Sequence, residues 1–148
     1  MEQYQSYLIV HDVAKKKNVG TILRSCAAFG VAEIWLVGIK KLSTFGHQGT
    51  AKRLVYRFLP TMAAAKEHAV AHAIQICGIE IMSESRNLWA SPFSGSTAFL
   101  LGNEGHGLTE AEKAFCDFFV YIPQYASNTE SLNVAVAGSI VLSHFARK

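Results

Sequence analysis

The segment Leu100-Leu101-Gly102-Asn103-Glu104-Gly105-His106-Gly107 joins an apolar run to a loop with three glycines. A second polar segment follows it, first Ile122-Pro123-Gln124 and then Ser131-Leu132-Asn133, and leads directly into a stretch of small and apolar residues. Both segments therefore describe loops that leave the carboxyl end of a buried strand. Because an open α/β sheet binds its ligand at that edge, the last quarter of the chain predicts a ligand site.

The rest of the chain predicts an α/β fold, because short apolar runs alternate with helical patterns. Asn18 is expected to cap the first helix and Gly30 to end it. The predicted strands are 7–10, 33–37, 54–58 (where the pattern is ambiguous), 79–82, 97–101 and 118–122, and the predicted helices are 19–29, 62–75, 109–115 and 133–146. We expect a single domain over residues 1–148, with a mostly parallel sheet of about six strands and helices on both faces.

Composition narrows the class of protein. The chain has 148 residues, of which 50% are hydrophobic and 17% charged, which is typical of a compact domain. The net charge of +3 permits a polyanionic partner without requiring one. The start of the chain has no secretory pattern, and no apolar run reaches the roughly 20 residues of a membrane span, so we expect a cytoplasmic protein without membrane contact.

No metal site is expected. The cysteines Cys26, Cys77 and Cys116 are far apart and form no CxxC pair, which predicts buried free thiols. His68 and His72 share one helix face at a spacing that can bind a metal, but no third ligand accompanies them. A solvated helix face is the simpler interpretation.

Two segments could carry chemistry. The loop from Gly102 to Gly107 lacks the Lys-Ser/Thr ending of a phosphate-binding loop and is not GxGxxG, yet three glycines favour close approach of a ligand over a plain turn. In Asn18-Val19-Gly20-Thr21-Ile22-Leu23-Arg24, a glycine in the first helical turn costs up to about 1 kcal/mol against alanine, which hints at a nucleic-acid backbone packing there. Arg24 is either paired with an acid at the surface or held ready for a phosphate.

These segments, in this order, resemble the motifs of the SpoU family of SPOUT RNA methyltransferases. Asn18, Gly20 and Arg24 fit N-x-G-x-x-x-R, the first of these motifs. The second motif, G-x-E-x-x-G, is fitted by Gly102, Glu104 and Gly107, and the third by Ile122, Pro123, Ser131, Leu132 and Asn133. The chain departs from the family at Gln124-Tyr125-Ala126, where many members have a methionine and a later glycine. We also expect no separate amino-terminal RNA-binding domain, such as many relatives have.

The resemblance implies a SPOUT fold with a deep trefoil knot in its C-terminal part, a homodimer, and S-adenosylmethionine as the cofactor. It also implies transfer of a methyl group to a ribose 2′-hydroxyl of RNA. The implied cofactor-binding residues are Leu101, Gly102, Asn103, Gly105, Ile122, Gln124, Ser131 and Leu132, and the implied catalytic residues are Arg24, Asn18, Glu104, Ser131 and Asn133. Because arginine stays protonated in proteins, we expect Arg24 to grip a phosphate and stabilise developing negative charge rather than act as a base.

RNA would bind through basic side chains, by phosphate contacts that weaken with salt. The candidates are Lys15, Lys16, Lys17, Arg24, Lys52 and Arg53, with Arg57 as a further one. Transfer RNA is favoured over ribosomal RNA, because minimal relatives more often act on transfer RNA. The alternatives are a methyltransferase acting on a base nitrogen, a generic nucleotide-binding protein, and a non-catalytic RNA-binding module that retains the SPOUT fold.

Overall fold

The computed structural model describes residues 3–13, 15–39, 54–126 and 131–147. These residues form one sheet of seven strands with helices packed on it. The strands are β1 (Ser6–Val10), β2 (Glu33–Val37), β3 (Tyr56–Leu59), β4 (Gln75–Ile79), β5 (Arg86–Asn87), β6 (Thr97–Leu100) and β7 (Phe118–Tyr121). The helices are α1 (Lys16–Ala28), α2 (Met62–Ala71), α3 (Glu110–Lys113) and α4 (Val134–Ala146), with a 3-10 turn at Leu88–Ala90.

The sheet has the order β3-β2-β1-β6-β4-β7-β5, and every pairing between neighbouring strands is parallel. All seven carboxyl ends therefore lie at one edge. The prediction of an α/β fold with a largely parallel sheet is confirmed, but the expected number of about six strands was too low. The missed strand, β5, has only two residues and both are exposed, so it carries no apolar pattern.

Helices cover both faces of the sheet, as expected. On one face α1 and α4 pack over residues such as Leu8, Leu36 and Phe99. On the other face Ala65 and Ala69 of α2 lie in a core that contains Trp35, whose side chain is fully buried. The small side chains of α2 let the helix lie close to the sheet, where burial of apolar surface stabilises the fold.

The boundary between α2 and β4 differs from the prediction. The helix ends at Ala71 rather than residue 75, and Ala73 takes a positive φ of 57° there, where a glycine would have signalled the end. The strand occupies Gln75–Ile79 rather than 79–82. Gly78 lies inside the strand, and side-chain atoms of Phe119 and Leu108 fill the space that its Cβ would take.

The start of α1 also corrects the prediction. The N-cap is Lys15, whose side chain makes no capping hydrogen bond, and Asn18 lies inside the first turn. The backbone N–H of Lys15 instead donates to the carboxylate of Glu104 at 2.9 Å. A carboxylate near a helix N-terminus is favourable. Glu104, from the loop of the second motif, therefore stabilises the start of α1 in place of Asn18.

Other local predictions are confirmed. Gly30 follows α1 with a φ of +70°. Thr109 and Glu112 form the expected capping box at α3. Of the helices in the described ranges, none is both long and apolar enough to cross a membrane.

Candidate functional site

A cavity of about 530 Å³ opens at the carboxyl ends of β4, β6 and β7, between the start of α1 and the start of α4. It lies at the edge of the parallel sheet where α/β proteins bind ligands. Its lining residues are Lys15, Asn18, Ile79, Glu80, Ile81, Leu101, Gly102, Asn103, Glu104, Gly105, His106, Gly107, Tyr121, Ile122, Gln124, Ser131, Leu132, Asn133, Val134 and Ala137. A volume of this size suits a ligand of nucleoside dimensions.

The Gly-rich loop after β6 is closed on itself. Asn103 and Gly107 exchange two backbone hydrogen bonds, of 3.0 and 2.9 Å. The Asn103 side chain accepts from the N–H of Gly105 at 2.7 Å and donates to the carbonyl of Asp12 at 2.9 Å. One amide therefore fixes both the shape of the loop and its position against the end of β1.

Two glycines of this loop are in close backbone contact. A Cβ built on Gly102 would lie 2.7 Å from the carbonyl carbon of Gly107, nearer than real Cβ atoms come to backbone. Gly107 itself has a φ of +73°, a backbone angle that residues with a side chain rarely adopt. The loop therefore requires glycine at both positions.

The three sequence motifs meet in one hydrogen-bonded chain of polar groups. Glu104 accepts from the side-chain amide of Asn18 at 3.2 Å, in addition to the N–H of Lys15. The Asn18 side-chain oxygen accepts in turn from the amide of Asn133 at 3.1 Å. Since Asn18 is only 8% exposed, these contacts satisfy a buried polar side chain and lock the loops together.

Asn133 has a second role at the start of α4. Its side-chain oxygen accepts from the N–H groups of Ala135 at 2.8 Å and Val136 at 3.2 Å, which makes it the N-cap of the helix. Farther along, α4 touches α1 through a hydrogen bond of 2.6 Å between Ser139 and Ser25. The two helices that flank the cavity are thus joined at two levels.

Two histidine–carboxylate pairs involve the residues that follow β1. His106 lies 3.4 Å from the carboxylate of Asp12, and both side chains are well exposed. His11, just before Asp12, bonds at 2.6 Å to Glu112, whose side chain is 1% exposed. These pairs tie the end of β1 to the Gly-rich loop and to α3.

The structure brings most of the predicted site residues together. All eight predicted cofactor-binding residues line the cavity, as do Asn18, Glu104, Ser131 and Asn133 of the predicted catalytic set. Arg24 does not line it. Its exposed side chain lies on α1 beside a second cavity of about 430 Å³, with Cys26 and Leu54.

The predicted RNA-binding residues fall into three groups. Lys15 lines the cavity, whereas Lys16 and Lys17 are exposed at the start of α1. Arg57 is held by Glu33 through bonds of 2.9 and 3.0 Å, so its guanidinium is already paired. Lys52 and Arg53 lie outside the described residues.

Sequence reasoning missed the wall of the cavity formed by Ile79, Glu80 and Ile81. The misplaced β4 explains this, because a strand at 79–82 buries these residues in the sheet. The observed strand ends at Ile79, which puts Glu80 at the ligand edge. His106 and Tyr121 were also missed, although both flank residues that were predicted.

The structure also tests the predictions made for the three cysteine thiols. Cys26 and Cys77 are buried, as predicted, and burial raises the pKa of Cys26 to about 12, so this thiol stays protonated. Cys116 is only partly buried, which corrects the prediction for that residue. Within the part of the chain that the structure describes, no three His, Cys, Asp or Glu side chains are grouped to hold a metal ion.

The sequence model of the SpoU rRNA Methylase family matches residues 5–143. The chain belongs to this family, which confirms the resemblance of its three motifs.

Particular relatives can be named. The chain is 32% identical over 150 residues to the 23S rRNA (guanosine-2′-O-)-methyltransferase RlmB of Xylella fastidiosa, with 97% of this chain and 59% of that enzyme covered. It is similar to the structure of a protein assigned to the TrmH family of RNA methyltransferases from Porphyromonas gingivalis, at a TM-score of 0.81 and 25% identity, covering 97% of this chain and 60% of that one. An AdoMet-bound rRNA methyltransferase from Sinorhizobium meliloti matches at a TM-score of 0.76 and 25% identity, covering 98% and 57%. The chain therefore spans about three-fifths of the length of these relatives.

Proposed function

We propose that this chain is an RNA methyltransferase that uses S-adenosylmethionine to methylate a ribose 2′-hydroxyl. The observation that carries the proposal is the hydrogen-bonded chain Glu104–Asn18–Asn133, which joins all three family motifs at the rim of one cavity. Family membership and the AdoMet-bound relative support the same reaction class. Because the chain spans only about three-fifths of these relatives, the proposed substrate rests on the chemistry of the site.

The cavity fits the cofactor in chemical character. Gly102 and Gly107 allow the loop to close on itself, and both line the cavity, where their backbone groups would contact a ligand. Ile122 and Leu132 offer apolar surface for an adenine ring, and Leu132 remains 38% exposed. Leu101, Asn103, Gly105, Gln124 and Ser131 would complete the binding surface.

When bound, the cofactor would supply a methyl group that its sulfonium sulfur activates. The ribose oxygen would form a bond to this methyl carbon as the carbon–sulfur bond breaks, and the ribose hydroxyl would lose its proton. The residues of this chain position that oxygen. Asn18 and Asn133 fix the geometry of the rim, and Glu104 holds the start of α1 by its N–H. A hydroxyl held in place needs far less ordering to react than one that diffuses in.

The exposed face of α1 offers a path for RNA to the cavity. Lys17, Gly20 and Arg24 are three and four positions apart, so they lie on one face of the helix. A Cβ at Gly20 would meet no described atom within 4 Å, which leaves open space between the two basic residues. A phosphate backbone along this face would pass from Lys17 to Arg24.

Arg24 would act on phosphate rather than inside the cavity. It lies six residues beyond Asn18, roughly 9 Å along the helix axis. In the proposed arrangement its guanidinium grips the phosphate next to the reacting ribose and stabilises negative charge that develops on the oxygen. The proton would pass to phosphate or water.

We also infer a homodimer with the cavity near its interface. Tyr125, Leu132 and Val136 are 85%, 38% and 46% exposed and lie around the end of β7 and the start of α4. Exposed apolar side chains grouped beside a ligand cavity are typical of a surface that a partner covers. Size-exclusion chromatography with light scattering measures the mass in solution, and a monomer at micromolar concentration would contradict this part.

The trefoil knot is a further part of the proposal. The chain runs from β7, next to the β5 edge, back to α4, which packs against α1 over the opposite half of the sheet. Such a return is what a threaded C-terminal segment requires. An experimental structure with a continuous chain trace decides whether the segment passes through a loop.

The test of function is methyl transfer from a labelled cofactor to RNA pools. We expect label in RNA, at nucleotides whose 3′ bond resists alkali because the 2′-oxygen is blocked. Transfer RNA is the predicted substrate, and 23S rRNA is tested beside it because the curated relative acts there. RNA binding without methyl transfer would favour the non-catalytic module instead.

The role of Arg24 has its own test. Arg24→Ala should lower single-turnover methylation by about 100-fold or more while cofactor affinity, measured by calorimetry, is unchanged. Arg147→Ala is the matched control, since Arg147 is exposed at the far end of α4. Near-normal turnover in Arg24→Ala would remove Arg24 from the mechanism.

A further inference from the structure

Glu80 directly follows β4 and lies against the Gly-rich loop. A Cβ built on Gly107 would lie 2.9 Å from one carboxylate oxygen of Glu80 and 3.0 Å from the other, so this carboxylate fills the space that a side chain at position 107 would take. Its backbone is held on both sides. The N–H donates to Val120 at 3.1 Å, and the carbonyl accepts from the Ser85 hydroxyl at 2.6 Å.

The Glu80 carboxylate has no hydrogen-bond donor among the described residues, although its side chain is half-buried and lines the cavity. The nearby ammonium of Lys113 bonds to Glu110 instead, at 3.1 Å. A partly desolvated carboxylate without a donor is costly, and the cost is offset when a ligand supplies the donor.

We propose that Glu80 accepts hydrogen bonds from the two ribose hydroxyls of the bound cofactor and so selects a ribonucleoside ligand. This inference rests on the proposed function. A carboxylate has two oxygens and can accept from both hydroxyls of a vicinal diol, which is how acidic residues at strand ends hold ribose in other α/β sheets.

The other donors of the cofactor fit this position less well. An adenine ring needs apolar surface on its faces, and Ile122 and Leu132 offer it on the β7 and α4 side. The amino-acid end carries a carboxylate besides its ammonium, so it needs a cation close by. Among the described residues, Lys15 at the α1 side is the lysine that lines the cavity. The uncharged sugar is left for the part of the cavity that Glu80 lines.

The test is a calorimetric comparison of two ligands, S-adenosylhomocysteine and 5′-methylthioadenosine, the second of which lacks the amino-acid end. Glu80→Gln should weaken both by the same factor, about tenfold or more, because a charge-assisted hydrogen bond is lost. The matched control is Glu84→Gln. Glu84 is exposed nearby and does not line the cavity. Its replacement should leave both affinities unchanged.

A third ligand, 2′-deoxy-5′-methylthioadenosine, completes the cycle. The wild-type protein should prefer the ribose form, and Glu80→Gln should lose most of that preference. The wild-type comparison does not depend on how the variant folds. Equal wild-type affinity for the two forms would contradict the inference.

The remaining outcomes separate the two proposals. A loss confined to S-adenosylhomocysteine would assign Glu80 to the ammonium and overturn the ribose assignment. If a folded Glu80→Gln variant bound both ligands with unchanged affinity, Glu80 would not contact the cofactor, and the inference would be wrong. If the wild-type protein bound no adenosine ligand at all, the proposed function itself would fail, and this inference with it.

Discussion

The side-chain amide of Asn133 donates a hydrogen bond of 3.1 Å to the side-chain oxygen of Asn18, a residue 115 positions earlier in the chain. The same Asn133 caps α4 with its oxygen. One side chain thus sets the start of a helix and closes the rim of the cavity. The two roles can be separated by substitution.

Asn133→Ser should separate them, because serine also caps helices but is too short to reach Asn18. We expect stability close to wild type and a clear loss of methylation. Asn133→Ala should lose both functions, with the free energy of unfolding lower by about 1 kcal/mol. Urea unfolding and single-turnover methylation measure the two effects. Full activity in Asn133→Ser would show that the bridge to Asn18 is dispensable.

Gly102→Ala should disrupt the Gly-rich loop. Its Cβ would lie 2.7 Å from the backbone of Gly107, so the loop must open. We expect cofactor affinity to fall by about tenfold or more, and the free energy of unfolding to fall by about 1–3 kcal/mol. The control is Gly95→Ala, which does not line the cavity. Its Cβ would meet no described atom within 4 Å, and calorimetry should detect little change.

Gly20→Ala should stabilise the protein and impair its function. A Cβ there meets no described atom, and alanine in a helix is favoured over glycine by about 1 kcal/mol. If RNA passes along this face of α1, the added methyl group obstructs it, so RNA affinity should fall while cofactor affinity stays constant. Thermal unfolding and filter binding measure the two quantities. A stabilised variant with unchanged RNA affinity would exclude this path.

Glu33 should make stability depend on acid pH. Arg57 donates to both of its oxygens, at 2.9 and 3.0 Å, and this hydrogen bonding lowers the pKa of Glu33 below its usual value of 4.5. A lowered pKa in the folded state means that the unfolded chain binds the proton more readily. The contribution of the pair is therefore complete above about pH 4.5 and is lost as the pH falls through the folded pKa.

The measurement is urea unfolding from about pH 6 to about pH 3 for the wild type and Glu33→Gln. The difference between their free energies of unfolding should shrink as the pH falls. Other acids titrate in both proteins and cancel in the difference. A difference that stays constant with pH would contradict the assignment.

The predicted cofactor-binding residues line one cavity, whereas several boundaries of the elements around it differ from the prediction. The loops after β6 and β7 carry glycines, a proline and cap residues, which have strong local preferences, and every predicted cofactor contact lines the cavity. The predicted strand 79–82 begins after Gly78, whereas β4 includes this glycine, and the reason for a glycine there is the side chain of Phe119, far along the chain. The exposed strand β5 carries no apolar pattern, and the ending of α2 at an alanine carries no local signal.

Contacts between distant segments of the chain were the other feature that the sequence did not predict. The capping preference of asparagine predicted Asn18 as the N-cap of α1, whereas its side chain bridges Glu104 and Asn133. Glu80 fell inside a misplaced strand and so gave no sign of facing the cavity. Both errors concern side chains whose partners lie in distant segments, which no local pattern describes.

The parallel sheet has a consequence for how the protein is made. β1 takes one of its two neighbours from β6, with Ile9 beside Leu100, so that side of the strand has no partner until most of the chain has been synthesised. Until then a nascent chain at the ribosome presents an apolar strand with an open edge, which is prone to aggregate. Pairing between such distant segments is also slow to form. We therefore expect folding to be completed late and to benefit from chaperones.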